Sequence, residues 1–568
     1  MKRTSFILSA IILALGGMFA KAIGALYKIP LTNILGSNGM GLYYLMFPVY
    51  SLILSLCSSG IGVALATEVS KCRKIRHRYN EQKLLRVALV MGFVVSLIFG
   101  IIMVIIAQPL ATLQGNVNAK LGYIAIAPAI VISTIIATLR GYFQGVENMV
   151  PTTVSMIVEQ VIKLSVGLLL AHKLCNLGMQ YAVLGAVIGV TISELVALVI
   201  ISINFLTFKG QLYYNYRNQN YKSRRKLLRP PILKSKKRYT LIKYKQVRFV
   251  CASRSIRYSN KTAIGKLFKI MLPATLSSIL LPVVTMIDSL IIINILIEAG
   301  FTSAVSTSLY GLWGGVVQSL ISLPTIIISA LATSIVPSLS GVVGDRDVGQ
   351  VGSKVEFVIK LTLFLSIIMM VGVFVFAEDI LVFLYGDGLG SSVIDELQYA
   401  TQMLKFASIS IVYYALLQTF TAILQTIGKS HVPFLATLVG LAIRVAGTYF
   451  LVKIPSINIF GVIMANTIFL GCVVIILAVV ISNLLRLRFK LISQLVMPII
   501  IGSVVMVLMM ILRSGFGLVM NYMGAMILSA FIGVIVYIVW GYFASIFNTK
   551  EKQMLMIFRK KKTIMKRR

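Results

Sequence analysis

The segment VALVMGFVVSLIFGIIMVIIAQPLATL (87–113) contains no charged residue, and comparable apolar segments recur along the whole chain. A helix of about twenty apolar residues is long enough to cross the roughly 30 Å of hydrocarbon in a bilayer. The apolar residues run continuously, without the alternation that is typical of membrane barrel strands. The sequence therefore predicts an all-α polytopic membrane protein.

The composition supports this class. Of the 568 residues, 58% are hydrophobic and only 12% are charged, whereas a soluble domain has about 25% charged residues. We predict about fourteen transmembrane helices. The predicted spans are approximately 5–26, 39–67, 84–113, 122–144, 151–171, 181–207, 266–296, 307–336, 355–384, 399–427, 433–452, 458–485, 491–512 and 522–546.

The basic residues are concentrated in three segments. The chain has 54 Lys and Arg against 16 acids, and segments 71–86, 209–266 and 550–568 hold 34 of these basic residues. Threading the spans in order places all three segments on one side of the membrane. By the positive-inside rule this side is the cytoplasm, so both termini of a multi-pass cell-membrane protein are predicted there. This distribution argues against nucleic-acid binding.

The chain also contains an internal similarity. The segment YIAIAPAIVISTIIATLRGYFQ (123–144) aligns without a gap with LKFASISIVYYALLQTFTAILQ (404–425), and each is followed by Val-Pro. We predict two six-helix lobes related by a parallel pseudo-repeat, plus a C-terminal helix pair. The predicted units are an N-lobe (1–208), a basic cytoplasmic linker (209–265), a C-lobe (266–486), the last two spans (487–547) and a basic cytoplasmic tail (548–568). Transporters built from such repeats place the substrate route between the halves.

Ionisable residues inside spans are costly and mark function by default. Lys21 and Lys28 are seven residues apart, which places them on nearly one face of a helix. Lys163 and Arg444 occupy approximately corresponding positions of the two halves, so we predict that they face each other across a cleft. The alternative for the two N-terminal lysines is that they extend to the membrane interface. Gln144 and Gln425 also occupy matching positions, where they could bind a sugar or connect helices.

Three acids are candidates for ion coupling. Glu159 and Lys163 are spaced i,i+4 and are expected to neutralise each other. Glu194 and Asp288 stand alone in their predicted spans, where each could carry a proton or bind a cation. For all three acids, a buried structural role is the alternative. Prolines inside the spans, Pro282 among them, are expected to bend the helices.

No catalytic constellation is present in the sequence. It has no P-loop, its three histidines lie far apart, and its five cysteines show no metal-binding spacing. We therefore expect no enzyme activity, no metal and no cofactor. Transport would then be coupled to the membrane potential, Na⁺ or H⁺.

Two segments resemble a known family. FAKAIGALYKIPLTNILGSNGMGLYYLMFPVYSLILSLCSSGIGVALATEVSK (19–71) and RGYFQGVENMVPTTVSMIVEQVIKL (140–164) are similar to signatures of the polysaccharide-transport family that includes stage V sporulation protein B. This family forms the lipid II flippase-like branch of the multidrug/oligosaccharidyl-lipid/polysaccharide (MOP) exporter superfamily, with a MATE-like fold. The sequence has Lys21 and Lys28 where lipid II flippases carry arginines.

The resemblance implies a flippase for an undecaprenyl-diphosphate-linked cell-wall precursor, either lipid II or a related oligosaccharide lipid, with spore cortex as one destination. The alternatives are a cation-coupled multidrug exporter of the same fold and a non-transporting membrane scaffold. The basic segment 209–265 is a solvated linker or a surface for anionic lipids. A monomer is the expected state.

Overall fold

The computed structural model describes residues 3–74, 77–227, 257–328, 348–386, 395–429, 431–485 and 496–544. Every long element in these ranges is an α-helix. The first six are α1 (Arg3–Leu54), α2 (Gly60–Lys74), α3 (Arg78–Leu113), α4 (Lys120–Gly145), α5 (Val150–Cys175) and α6 (Met179–Leu227). The next four are α7 (Asn260–Ser278), α8 (Leu280–Glu298), α9 (Ser303–Gly311) and α10 (318–328).

The remaining helices are α11 (Val348–Val375), α12 (Ala377–Tyr385), α13 (Glu396–Ala407), α14 (Ser410–Thr426), α15 (His431–Val452), α16 (Phe460–Leu485), α17 (Met497–Gly517) and α18 (Tyr522–Phe543). Short π-helical turns join α1 to α2 at Ser55–Ser59 and α9 to α10 at Leu312–Val317. We refer to α1–α6 as the N-lobe, α8–α16 as the C-lobe and α17–α18 as the terminal pair.

Within the described ranges, twelve helical segments are long and apolar enough to span a membrane, or thirteen if the bent pair α13–α14 forms one span. The first segment, Leu15–Arg73, has 59 residues and would measure roughly 88 Å at 1.5 Å per residue, far too long for one crossing. It is interrupted at Gly36, whose φ of 61° and ψ of −175° are not helical. This segment therefore accommodates the first two predicted spans. The all-helical polytopic class is confirmed, and the total of fourteen spans remains a prediction.

Two of the predicted boundaries fall inside helices. α6 continues without interruption to Leu227, so the first part of the predicted linker is helical. α7 begins at Asn260, before the predicted start of the C-lobe. The rest of the linker and the predicted tail lie outside the described residues.

Apolar packing distinguishes the two ends of the bundle. We call them the Gly36 end, where α1 turns, and the linker end, where α6 leaves the bundle and α7 enters it. At the Gly36 end one apolar core contains residues of both lobes, for example Leu45, Tyr123, Leu309 and Leu404. At the linker end the described residues form separate cores, one within the C-lobe and one formed by the N-lobe with α7. A further core joins α11 to the terminal pair. The lobes are thus joined at the Gly36 end.

The seventh predicted span is divided between the lobes. It breaks at Ile279, between α7 and α8. Pro282 accounts for this break, because it has no N–H to donate to the carbonyl of Ser278 one turn earlier. α7 packs on α2 and α3 of the N-lobe, whereas α8 packs both on α1 of the N-lobe and on α15 of the C-lobe. The predicted proline bend therefore lies where the chain passes from the N-lobe to the boundary between the lobes.

Candidate functional site

The two N-terminal lysines lie on a face of α1 that differs from its apolar surface. Lys21 is exposed and Lys28 is half-buried. Among the side chains of α1 that the structure describes, the exposed apolar ones are Leu15, Phe19 and Leu26. At 100° per residue, the lysines lie roughly 150° around the axis from that apolar face. Their position favours a route inside the bundle over contact with acyl chains.

Lys28 lies at the boundary between the lobes. Its ammonium is 5.1 Å from the centre of the Tyr44 ring, within the range of a cation–π contact. The hydroxyl of Tyr44 is 3.5 Å from Oγ of Ser319 in α10. The same ring packs against Gly314 of the C-lobe, where a Cβ atom would lie 2.7 Å from it. Tyr44 therefore connects the Lys28 cation to the opposite lobe.

Lys163 extends the same aromatic surface. Its ammonium is 5.1 Å from the centre of the Tyr27 ring and 5.3 Å from that of Phe47. Phe47 in turn packs against Tyr43 with their ring centres 4.3 Å apart. Lys28 and Lys163 thus contact aromatic rings of the same helix α1, Lys28 through Tyr44 and Lys163 through Tyr27 and Phe47. We call Lys28, Lys163, Tyr27, Tyr44 and Phe47 the lysine–aromatic cluster.

Glu159 has a different partner from the one predicted. Its carboxylate accepts a hydrogen bond from the Arg140 guanidinium at 2.8 Å and another from the amide of Gln160 at 3.0 Å. Arg140 also donates to Oγ of Ser155 at 2.9 Å. The direct ion pair of Glu159 is therefore with Arg140 of α4, while Glu159 acts on Lys163 only as a nearby charge. This leaves Lys163 with its cation–π contacts.

Glu194 lies in the interior of the N-lobe. It is 8% exposed and lies beside Ser133 of α4 and Tyr50 of α1. Tyr50 and Ser133 are themselves 3.3 Å apart. Glu159, Arg140 and Lys163 all act electrostatically on Glu194. The site thus combines two acids and two bases from α4, α5 and α6.

Arg444 and Asp288 form a buried ion pair. They are 3% and 4% exposed, and the guanidinium donates directly to the carboxylate. Both belong to the C-lobe, on α15 and α8 respectively. The prediction that Arg444 faces Lys163 across an open cleft is therefore wrong. A buried guanidinium requires a counter-charge, and Asp288 provides it within the same lobe.

The two glutamines lie apart from the lysines. Gln144 is half-buried near the linker end of α4, and Gln425 is exposed near the linker end of α14. They occupy corresponding ends of the two lobes. Their roles in binding a sugar or joining helices remain predictions.

At the Gly36 end, polar contacts join the lobes. The amide of Asn33 donates to the carbonyl of Leu384 at 3.1 Å, and the Ser37 hydroxyl donates to the buried carboxylate of Glu396. Further cross-lobe hydrogen bonds are Gln114–Ser289 (3.0 Å), Asn116–Thr307 (3.2 Å), Asn294 to the Leu113 carbonyl (2.6 Å) and Ser303 to the Gly115 carbonyl (3.1 Å). We call this set of contacts the Gly36-end gate. Sequence reasoning missed it, because these polar residues lie at span ends, where they are common.

A second interaction missed from the sequence joins the terminal pair to the C-lobe. Arg513 of α17 binds Asp379 at 2.6 Å and lies 3.6 Å from Glu378. Both acids are in the first turn of α12. Neither residue type nor spacing indicates this pairing, because the partners are more than 130 positions apart in the chain.

Two helical lobes joined at one end, with cations at their boundary, define a two-lobed membrane transporter fold. Residues 7–235 match the model of polysaccharide biosynthesis proteins, and residues 273–450 match the MatE model. These two matches confirm the family resemblance seen in the sequence.

Relatives cover most of the chain. Stage V sporulation protein B of Bacillus subtilis (strain 168) is 25% identical over 492 residues, which are 86% of each protein. Lipid II flippase MurJ of the same organism is 24% identical over 467 residues, or 80% of this chain and 78% of the relative. A solved structure of lipid II flippase MurJ in an inward closed conformation has a TM-score of 0.65 at 15% identity, and the match covers 94% of this chain and 99% of that one.

Proposed function

We propose that this protein is a flippase that moves an undecaprenyl-diphosphate-linked cell-wall precursor from the inner to the outer leaflet of the cell membrane. The lysine–aromatic cluster is the observation that carries this proposal. Two cations that contact aromatic rings of the same helix at the lobe boundary suit a ligand that has two adjacent phosphates. The relatives named lipid II flippase and stage V sporulation protein B support the same function.

Such a ligand could bind the lysines without displacing a direct ion pair. In the described part of the chain, the ion pairs join other residues, and neither Lys28 nor Lys163 has a carboxylate within 4 Å. The aromatic rings hold the ammonium groups through cation–π contacts. A charge-assisted hydrogen bond from an ammonium group to a phosphate oxygen is stronger than such a contact. A diphosphate would therefore gain charge-assisted hydrogen bonds without displacing an existing salt bridge.

The packing supports alternating access. The lobes share a core at the Gly36 end and have separate cores at the linker end. On the topology that the basic segments predict, the linker end faces the cytoplasm. This arrangement corresponds to a state that loads its substrate from the inner leaflet. Opening the Gly36-end gate would then release the substrate on the other side.

The membrane potential would favour this direction of movement. Each negative charge that moves outward through an inside-negative potential releases about 2.3 kcal/mol per 100 mV. For an additional coupling ion, Glu194 is better placed than Glu159 and Asp288, which already have Arg140 and Arg444 as their counter-charges. The proposed coupling cation is Na⁺ or H⁺.

A rescue experiment tests the function. Cells depleted of their essential lipid II flippase would receive this gene, and the appearance of labelled lipid II at the outer surface would be measured together with growth. We expect rescue of both. A drug exporter or a non-transporting scaffold would give neither growth nor outward lipid II, and that result would contradict the proposal.

Variants separate transport from a scaffold role. We expect Lys163→Met and Lys28→Met to reduce surface lipid II by at least about tenfold, since each removes a charge-assisted hydrogen bond worth about 1.5–3 kcal/mol. Lys453→Met is the matched control, because this exposed lysine lies beyond α15, away from the cluster. Immunoblots would establish that all variants reach the membrane. Full rescue by the double variant would contradict the proposed route.

A further inference from the structure

A cavity at the Gly36 end has a chemistry that the lysine–aromatic cluster does not share. Its volume is about 470 Å³, within the range of small-ligand sites. The lining residues are Asn38, Leu42, Asn116, Asn118, Gly178, Met179, Gln180, Ser303 and Ala304. Four of these side chains are carboxamides, and none is ionisable. The cavity therefore suits an uncharged polar ligand.

The polar groups of the cavity have two different tasks. Asn116 donates to Thr307 at 3.2 Å and accepts from the backbone N–H of Asn118 at 3.1 Å. Ser303 donates to the carbonyl of Gly115 at 3.1 Å. These two side chains hold the walls together across the lobes. In the described residues, no protein partner engages the carboxamides of Asn38, Asn118 and Gln180, and each offers two donors and one acceptor.

The apolar part of the cavity is firmly positioned. Met179 packs so closely on Gly39 that a Cβ there would lie 2.5 Å from the sulfur. Gly178 has a φ of 126°, which directs the chain from α5 into α6 at the cavity. Leu42 and Met179 thus present an apolar wall beside the free carboxamides. An apolar wall next to carboxamides complements a sugar ring, whose C–H face is apolar and whose edge carries hydroxyl and acetamido groups.

We propose that this cavity binds an uncharged, N-acetylated glycan outside the membrane and that the bound glycan holds the Gly36-end gate closed. Residues of both lobes line the cavity, with Ser303 and Ala304 supplied by the C-lobe, so opening the gate would separate its walls. A ligand that binds one state shifts the population toward that state. This inference rests on the proposed function for the outward orientation of the cavity and for the choice of glycan. Accumulated wall glycan would then slow further export of the lipid-linked precursor.

Binding can be measured without any lipid substrate. The full-length protein in nanodiscs would be titrated with N,N′-diacetylchitobiose, and calorimetry would measure binding. Cellobiose, which lacks acetamido groups, would be the control sugar. We expect saturable binding of the first sugar and at least tenfold weaker binding of the second. Absence of saturable binding at millimolar sugar, or equal binding of cellobiose, would overturn the proposal. Neither outcome bears on the rescue experiment, so the two proposals fail independently.

Variants locate the site. Asn38→Leu and Gln180→Leu should each weaken binding by roughly 2- to 10-fold, as expected for one neutral hydrogen bond. Asn521→Leu is the matched control, because this asparagine is exposed outside the cavity. Spin labels on Lys173→Cys and Lys453→Cys, one exposed residue in each lobe, would report the gate, and the sugar should narrow their distance distribution. Unchanged affinity in the double Asn38→Leu, Gln180→Leu variant would contradict the assignment.

Discussion

At the scale of single residues, the buried pair Asp288–Arg444 leads to a stability prediction. Replacing only Arg444 with Gln should lower the free energy of unfolding by about 3–5 kcal/mol, because it leaves an uncompensated carboxylate among apolar helices. Adding Asp288→Asn should restore most of the lost free energy of unfolding. Unfolding midpoints in denaturant would measure both. Lys453→Gln, at an exposed site, should change the stability by less than about 0.5 kcal/mol, and an equally small effect of Arg444→Gln would contradict this account.

Arg140 leads to a second prediction at this scale. It supplies the positive charge that Glu159 was expected to receive from Lys163. We therefore expect Arg140→Met to free Glu159 to attract the Lys163 ammonium, which would reduce export even though both lysines remain. Arg140→Met combined with Glu159→Gln should recover part of the export. Surface labelling of lipid II in the rescue strain would measure this, and full activity of the single Arg140→Met variant would contradict it.

These residues show the limits of sequence reasoning. Lys28 and Lys163 could be singled out because charge inside an apolar span is rare. Their aromatic neighbours could not, since Tyr44 and Phe47 are common residues in membrane helices. Tyr44 reaches Lys28 across the break of α1 at Gly36, and Phe47 reaches Lys163 through the packing of α1 on α5. The partners of Glu159 and Arg444 depend on the rotation of adjacent helices, which an apolar pattern leaves undetermined.

At the scale of elements, α7 is held on the N-lobe at Gly60. A Cβ on Gly60 would lie 2.5 Å from the carbonyl oxygen of Met271 and would also overlap Thr275. We expect Gly60→Ala to displace α7 and to destabilise the protein by about 1–3 kcal/mol. Gly265→Ala is the matched control, because nothing lies within 4 Å of its Cβ, and helix propensity alone should stabilise it by up to about 1 kcal/mol. Thermal midpoints that fall equally for both would contradict this packing.

The sequence predicted most helices but not how they divide. Long uncharged segments indicate spans because hydrocarbon thickness sets their length. The break before Pro282 was also indicated by residue type. The sequence did not indicate that α7 packs on the N-lobe, because the amphipathic pattern of one helix does not specify which neighbouring helix covers it.

At the scale of the whole molecule, the Gly36-end gate depends on close backbone approach. A Cβ on Gly41 would overlap the carbonyl of Thr307, and one on Gly311 would overlap that of Ser37. Gly41→Ala should therefore open this end and lengthen the distance between spin labels at positions 173 and 453. Gly372→Ala, in α11 with nothing within 4 Å of its Cβ, should leave the distance unchanged. If the distance between the two spin labels in Gly41→Ala equals that in the unmodified background, the gate does not depend on this contact.

The lobes themselves were predicted from the repeated segments and the basic linker, and the family matches support a transporter of this kind. The state of the molecule was not predicted, because both closed and open gates satisfy the same span pattern. The difference lies in a few polar contacts between residues that are far apart in sequence.

Lipid flipping in proteoliposomes tests the central claim most directly. A fluorescent undecaprenyl-diphosphate glycan would be followed across the bilayer for the unmodified protein, the double variant Lys28→Met, Lys163→Met and the control Lys453→Met. We predict that the double variant flips the lipid at least about tenfold more slowly, while the control matches the unmodified protein. Flipping at the unmodified rate by the double variant would contradict the proposal that these two cations line the route.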